Sequence, residues 1–412
     1  MRRENYLYAG VDTHKESHTA CVVTCWNELL LTVTIPNKPG EFHKLAKRVS
    51  KKANELGISP VYGLENVSGH GRALAVWLIE NGYQVKDVNP ALSYNQRKSA
   101  PTMEKNDEYD AYAVATVLIN QLHKLPDAKP DDAHWTLSQL VTRRSTLVRE
   151  GVRLKNGLHG QLSIAYPSYK QFFSDIDGKI ATYFWKTYPS PVHLRYKTAD
   201  ELDGEFKVVA PRGTRGGRGS RILECVQIDG DTHREYQESR DFITQSFARG
   251  LERHTQELGL IEAQIEIMLK EFDYKLTTLP GVRTVTAGKI IAEIGDISRF
   301  KNAGKLARYA GIAPVTFSSA GKGKDLSSSQ GNRLLNGVFY LMAVGLVGVM
   351  PKTRTPRHPV FREYFLRKVG EGKTKSQALV CIMRRLVNIV FSMMKNKTEY
   401  RPFVRDEHAS DE

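Results

Sequence analysis

YLYAGVD, Tyr6 to Asp12, is an apolar run that ends on an acid. A run of this length, with branched and aromatic residues, predicts a buried strand. Outward from it, HTACVVTC (His18 to Cys25) and LLLTVTIPN (Leu29 to Asn37) predict two more strands, separated by the polar Trp26-Asn27-Glu28, so the chain opens as a meander. From Pro39 to Leu56 the period becomes helical, with Phe42, Leu45, Ala46 and Val49 on one face. VYGLE then gives a fourth strand that ends on a second acid, Glu65. RALAVWLIENG is a helix closed by Gly82, YQVKDV is a fifth strand broken at Asn89-Pro90, and a further helix begins near Asp107. A three-strand meander followed by alternating strands and helices predicts an α/β domain with a mixed sheet.

The rest of the chain reads as helical. LSQLVTRRSTLVREGVRLKNGLHGQL, 137–162, is one long basic helix, and 233–273 is a second long helical pattern that fits a coiled-coil-like arm or a plain helical hairpin. Between them, 175–230 shows no period, and PRGTRGGRGS (Pro211 to Ser220) reads as a flexible linker or mobile loop. LTTLPGVRTVTAGKIIAEIG has the outline of a helix-hairpin-helix, whose turn amides suit a phosphate. A loop rich in Ser, Gly and Lys follows (TFSSAGKGKDLSSSQGN), then helices around 334–350 and 376–394.

Lys and Arg number 60 against 45 for Asp and Glu, a net charge of +15 in 412 residues. Such an excess favours a polyanionic partner, because each neutralised phosphate releases condensed counterions. No basic amphipathic helix with a broad apolar face supports a membrane surface instead. The four cysteines, Cys21, Cys25, Cys225 and Cys381, match neither a disulfide framework nor a zinc-site spacing. The N-terminus lacks a signal-peptide core and Val338–Met350 is short for a bilayer, so a cytoplasmic, nucleoid-associated protein is expected.

Four acids carry the candidate chemistry. Asp12 and Glu65 end strands, and Asp107 and Asp110 lie one helical turn apart on one face. Carboxylates converging at one rim of a sheet suit Mg²⁺ or Mn²⁺, and two-metal phosphoryl-transfer sites hold their ions roughly 3.5–4 Å apart. Any one of these acids read singly is a turn residue or helix cap. Actin-like ATPases also place an Asp after the first strand, but a glycine-bearing phosphate hairpin follows it there, and Thr13 to Ser17 contain no glycine. His14 and His18 lie four apart in a strand-turn, where they share no face, so a solvated or structural role is expected for both.

GVDTHK (Gly10 to Lys15), the strand ending at Glu65, VNP (Val88 to Pro90) and KNDEYDA (Lys105 to Ala111) resemble the N-terminal domain of insertion-sequence-110 family transposases. The 275–350 region, with PGVRTVTAGKIIAEIGDISRFKNAGKLARYAGIAP, SSAGK and QGNRLL, resembles that family's C-terminal domain. The resemblance implies an RNase H/RuvC-like fold with an Asp-Glu-Asp-Asp metal set at Asp12, Glu65, Asp107 and Asp110. It also implies a nucleophilic serine at Ser319. The family has glycine after that serine where this chain has Ala320, which keeps Ser318 as the alternative.

On this reading, residues 1–165 form a RuvC-like metal-binding catalytic domain, 166–274 an irregular Gly/Arg-rich insert with a long helical arm, and 275–400 a mainly α transposase domain bearing the serine. The expected function is a DNA transposase or recombinase of a mobile insertion sequence, working through a phosphoserine intermediate. Its expected partners are double-stranded DNA, a structured guide RNA encoded by the element, and further copies of itself in a dimer or tetramer. Nucleic-acid contacts are expected at Arg143, Arg144, Arg149, Arg153 and Lys155, and beside the serine at Lys322, Lys324 and Arg333. The alternatives are a RuvC-like endonuclease that uses water, whose serine variants would still cut, and a non-catalytic RNA- or DNA-binding protein indifferent to loss of the acids.

Overall fold

The structure, a computed structural model, describes residues 2–65, 67, 69–99, 106–130, 132–212, 216–313 and 331–402, together with the backbone of 315–319 and 322–326. The chain divides into two compact units, Met1–Trp135 and Thr136–Glu412. The boundary expected near 165 coincides with the end of a long helix, and the units part thirty residues earlier, near that helix's start.

Strands β1 (Tyr6–Thr13), β2 (Ser17–Val23), β3 (Leu29–Pro36), β4 (Ser59–Glu65) and β5 (Gln84–Val88) form one sheet in the order β3-β2-β1-β4-β5. The first two pairings are antiparallel and the last two parallel, as the meander and the later alternation predicted. Helices α1 (Pro39–Leu56), α2 (Arg72–Glu80), α3 (Pro90–Lys98) and α4 (Asp107–Gln121) complete the unit.

Alternation along β1 sorts its side chains between two cores. Leu7, Ala9 and Val11 pack with Phe42, Leu45 and Val49 of α1 and with Leu74 and Leu78 of α2. Tyr8 packs instead with Val114, Ala115 and Leu118 of α4. Gly10 lies on that second face, and a Cβ there would sit 2.2 Å from the Ala115 nitrogen and 2.4 Å from the Ala111 oxygen. The missing side chain therefore lets α4 rest on the backbone of β1. Asp12 is the next residue on this face, so the same close approach brings the start of α4 to it.

The second unit carries α5 (Asp132–Ala165), α6 (Lys179–Thr187), α7 (Ala199–Val209), α8 (Arg218–Asp229), α9 (Gln237–Leu269), α10 (Thr284–Ile294), α11 (Ala303–Tyr309), strands β6 (Val315–Ser319) and β7 (Lys322–Leu326), then α12 (Arg333–Val347), α13 (Pro359–Gly370) and α14 (Lys375–Asn396). Helices α5 and α9 run antiparallel. Arg144 pairs with Glu262 at 2.7 Å, the Leu147 carbonyl accepts from His254 at 2.6 Å, and Gly157 faces the Phe247 ring.

Three expectations give way here. The described residues of 175–230 form a helical cluster: Phe172, Phe184, Trp185, Leu202, Phe206 and Ile222 make a core with Leu158 and Leu162 of α5. Its helices span 9 to 12 residues, too short to impose a period on a longer window. The described glycines of the Gly/Arg-rich stretch serve packing. Asp203 accepts from the amides of Gly217 and Gly219 at 2.6 and 2.8 Å, and Gly219 abuts the Ala199 backbone in the first turn of α8. Residues 213–215 of that stretch lie outside the described residues. Finally, the serine loop contains a hairpin, with β6 antiparallel to β7 and Ser319 opposite Lys322.

Before Pro280-Gly281 stands a single 3₁₀ turn, Leu276–Thr278, and the helix after the turn is α10. Helix α14 is long and apolar enough to cross a membrane by length and composition. Its face of Ile382, Leu386, Val390 and Met393 is nevertheless buried, and it packs on α11, α12 and α13 as a core helix.

Candidate active site

The acids meet at one end of the sheet. Val11 pairs with Leu64 in the parallel β1–β4 register, so Asp12 and Glu65 are the next residues on neighbouring strands. Both belong to the face covered by α4. That helix begins at Asp107, with the Asn106 side chain accepting from the Tyr109 amide at 2.7 Å. Asp107 and Asp110 occupy its first turn, where the helix dipole favours negative charge.

Asp12 is only 7% exposed. Burial pushes its carboxyl above the usual range; His14 pulls it down, and the charges of Asp110 and Asp107 push it up further. Glu65 is raised in the same way, first by burial and then by Asp12, with the Ser93 hydroxyl and Arg97 opposing. Arg97 of α3 lies 2.6 Å from Asp110 Oδ1. His14 Nε2 stands 2.9 Å from Asp12 Oδ2 and 3.3 Å from Asp107 Oδ1. These are ion-pair distances without hydrogen-bonding alignment at the buried ends: Asp12 Oδ2 and Asp110 Oδ1 are shielded from water and have no hydrogen-bond partner.

Arg97 answers the charge of Asp110, whereas the buried Asp12 carboxylate has no permanent cation beside it, a costly placement unless one completes the set. Asp12, His14 and Asp107 offer one donor atom each, all within 4.8 Å of one another. The residues therefore fit a divalent cation: one buried carboxylate from Asp12, one exposed carboxylate from Asp107, and one nitrogen from His14.

Sequence reasoning missed three members of this neighbourhood. Ser93 and Arg97 lie on α3, a helix concealed because Asn89-Pro90 reads as a break. Those two residues are in fact its N-cap and first position: the Asn89 side chain accepts from the Ala91 amide at 2.9 Å. The spacing of His14 from His18 does not bear on its role, because its partners are Asp12, two residues before it, and Asp107 of α4. His18 is fully buried against the Phe42 ring, 5.9 Å between centroids, a structural position.

The basic residues expected on α5 divide. Arg144 pairs with Glu262, Lys155 with Asp177 at 2.6 Å and Arg143 with Glu150 at 3.5 Å, whereas Arg149 and Arg153 are exposed. Arg333 is exposed at the start of α12. Ser318, Ser319, Lys322 and Lys324 belong to the β6–β7 backbone hairpin, and their side chains lie outside the described residues.

Comparison with known proteins agrees over both ends of the chain. An IS110-type DEDD transposase family model, described as "Transposase", matches residues 9–167, and the model "Transposase IS116/IS110/IS902 family" matches 273–358. A protein of insertion element IS116 from Streptomyces clavuligerus is 26% identical, over 97% of each chain. One of IS110 from Streptomyces coelicolor is 28% identical over 96% of this chain and 95% of its own. The pilin gene-inverting protein of Moraxella lacunata is 28% identical over 97% and 98%. Among solved structures, T. thermophilus RuvC in complex with a Holliday junction substrate matches at 15% identity and a TM-score of 0.23, covering 30% of this chain and 99% of that one. A superposition that loose carries no weight for the site. The two family models, in order along one chain and with relatives matching nearly end to end, settle the assignment: the chain belongs to the IS116/IS110/IS902 family of transposases.

Proposed function

We propose that this DNA transposase acts through a two-part site, with Asp12, Glu65, Asp107 and Asp110 holding divalent ions and Ser319 attacking the DNA phosphate. The observation that carries the metal half is the convergence of the buried Asp12 carboxylate with Asp107 and His14, one donor atom from each within 4.8 Å of the others. A Mg²⁺ or Mn²⁺ ion bound there supplies positive charge against the charge that develops on the attacked phosphate. The acids hold that charge at the rim, and Arg97 keeps Asp110 oriented.

At the serine, the Oγ–P bond forms while a P–O bond of the DNA breaks. The serine gives up its proton and the departing DNA oxygen ends as a hydroxyl. The phosphoserine ester conserves the bond, so a second strand end displaces the serine without ATP. We also propose that the protein works as a homo-oligomer, a dimer or tetramer. The basic surface at Arg149, Arg153 and Arg333, with Lys322 and Lys324 beside the serine, is proposed to contact DNA and a structured guide RNA by phosphate and shape. We further propose that the N-terminal part is RuvC-like, that 166–274 acts as a spacer arm, and that the protein works in the cytoplasm at the nucleoid.

The test is a strand-transfer reaction on synthetic junctions with Mg²⁺ and co-purified RNA retained, resolved on denaturing gels. Wild type is expected to yield a protein–DNA adduct, with none from Ser319→Ala or Asp12→Ala. If Ser319→Ala still cuts the DNA and no adduct forms with any variant, water is the nucleophile and the serine half is wrong.

A further inference from the structure

Beyond the four carboxylates, we propose that His14 is a nitrogen ligand of the metal at this rim and makes the site select a transition ion such as Mn²⁺ over Mg²⁺. This rests on the acid-centre reading above. The geometry points to it at one atom. Nε2 of His14 lies 2.9 Å from Asp12 Oδ2 and 3.3 Å from Asp107 Oδ1. Two donors bound at about 2.1 Å to one ion can be no more than about 4.2 Å apart, and both spacings fall inside that limit. The ring nitrogen thus converges on the same point as two carboxylates from different elements.

The position of His14 is built. It opens the tight turn between β1 and β2, where its amide donates to the Ser17 carbonyl at 3.0 Å. The Asn37 side-chain nitrogen lies within 3.4 Å of the carbonyls of His14, Lys15 and His70, and the Asn37 amide donates to Glu16 at 2.8 Å. A backbone held in this way spares the turn itself any further ordering when His14 takes a ligand. The ring is half exposed, so an ion reaches it without rearrangement of the core.

The chemical consequence concerns selectivity. Imidazole nitrogen strengthens binding of first-row transition ions more than that of Mg²⁺, which prefers oxygen and retains its waters. An all-oxygen rim of Asp12, Glu65, Asp107 and Asp110 has no such bias.

The experiment uses the full-length protein and Mn²⁺ alone. Electron spin-echo envelope modulation detects a directly bound ¹⁴N, and histidine labelled with ¹⁵N changes that signature in the wild type without any substitution. The expected result is nitrogen modulation in wild type, absent in His14→Asn, with Mn²⁺ affinity weakened about tenfold and Mg²⁺ affinity changed by less than about twofold. Mn²⁺ that binds in an Asp12-dependent way with no nitrogen modulation overturns the role of His14 and leaves the acid centre standing. Wild type that takes up no Mn²⁺ in an Asp12-dependent way overturns both.

Discussion

Two buried aspartates, one in each unit, have opposite surroundings. Asp241 of α9 is 9% exposed and fully engaged: Ser190 Oγ donates to it at 3.0 Å, His193 Nε2 lies at 2.8 Å, and Gln237 Nε2 donates at 2.8 Å. Asp12 is as deeply placed, yet its Oδ2 has only the His14 ring at 2.9 Å, without hydrogen-bond alignment, and the charges of Asp110 and Asp107 press on it. A buried carboxylate with a hydrogen-bonding partner on each oxygen is tied into the fold. One left unanswered is held for something that arrives later.

The sharpest way to break this comparison is Asp12→Asn. Loss of one metal-holding charge is expected to lower strand transfer by on the order of 10²–10³, measured as initial rate at saturating Mg²⁺. The same change should stabilise the metal-free protein. Asp12 and Glu65 are raised above their unfolded values, so the stability they contribute is present at acid pH and is lost as pH rises through their folded values. In EDTA, the melting temperature of Asp12→Asn should therefore exceed that of wild type by a margin that widens from acid to neutral pH.

Asp241→Ala should do the reverse. It strands Ser190, His193 and Gln237 and should cost about 3 kcal/mol in urea unfolding, with the rate per folded molecule unchanged. Gly10→Ala tests how the rim is assembled. Its Cβ collides with the backbone of α4, so a loss of about 2 kcal/mol should come with weakened Mn²⁺ binding, which Asp241→Ala should leave intact. The smallest effect is expected from Arg144→Ala, below about 1 kcal/mol, since its Glu262 partner is partly exposed on the α5–α9 pair.

What was legible followed the same division. The five strands were readable because buried strands need apolar runs, and Asp12 and Glu65 stood out as acids ending such runs. The closeness of Asp107 to Asp12 was not readable from spacing alone, because it depends on Gly10 letting α4 settle on β1. Helix α3 escaped because Asn-Pro serves equally as a strand break and a helix start, and Arg97 went with it. His14 escaped because its spacing from His18 points to no shared face, whereas its partners are Asp12, two residues before it, and Asp107 of α4. The helices of 175–230 escaped because aromatic packing, rather than periodicity, holds them together.

The most direct test of the central claim is a melting curve of the full-length protein with and without Mn²⁺, for wild type, Asp12→Asn and Asp241→Asn. An ion that binds the folded site raises stability by mass action, about 2.7 kcal/mol at a hundredfold excess over its dissociation constant. The account predicts that Mn²⁺ shifts wild type and Asp241→Asn alike and leaves Asp12→Asn unmoved. An equal shift in Asp12→Asn would contradict it, since the unanswered oxygen of Asp12 would then not be where the metal goes.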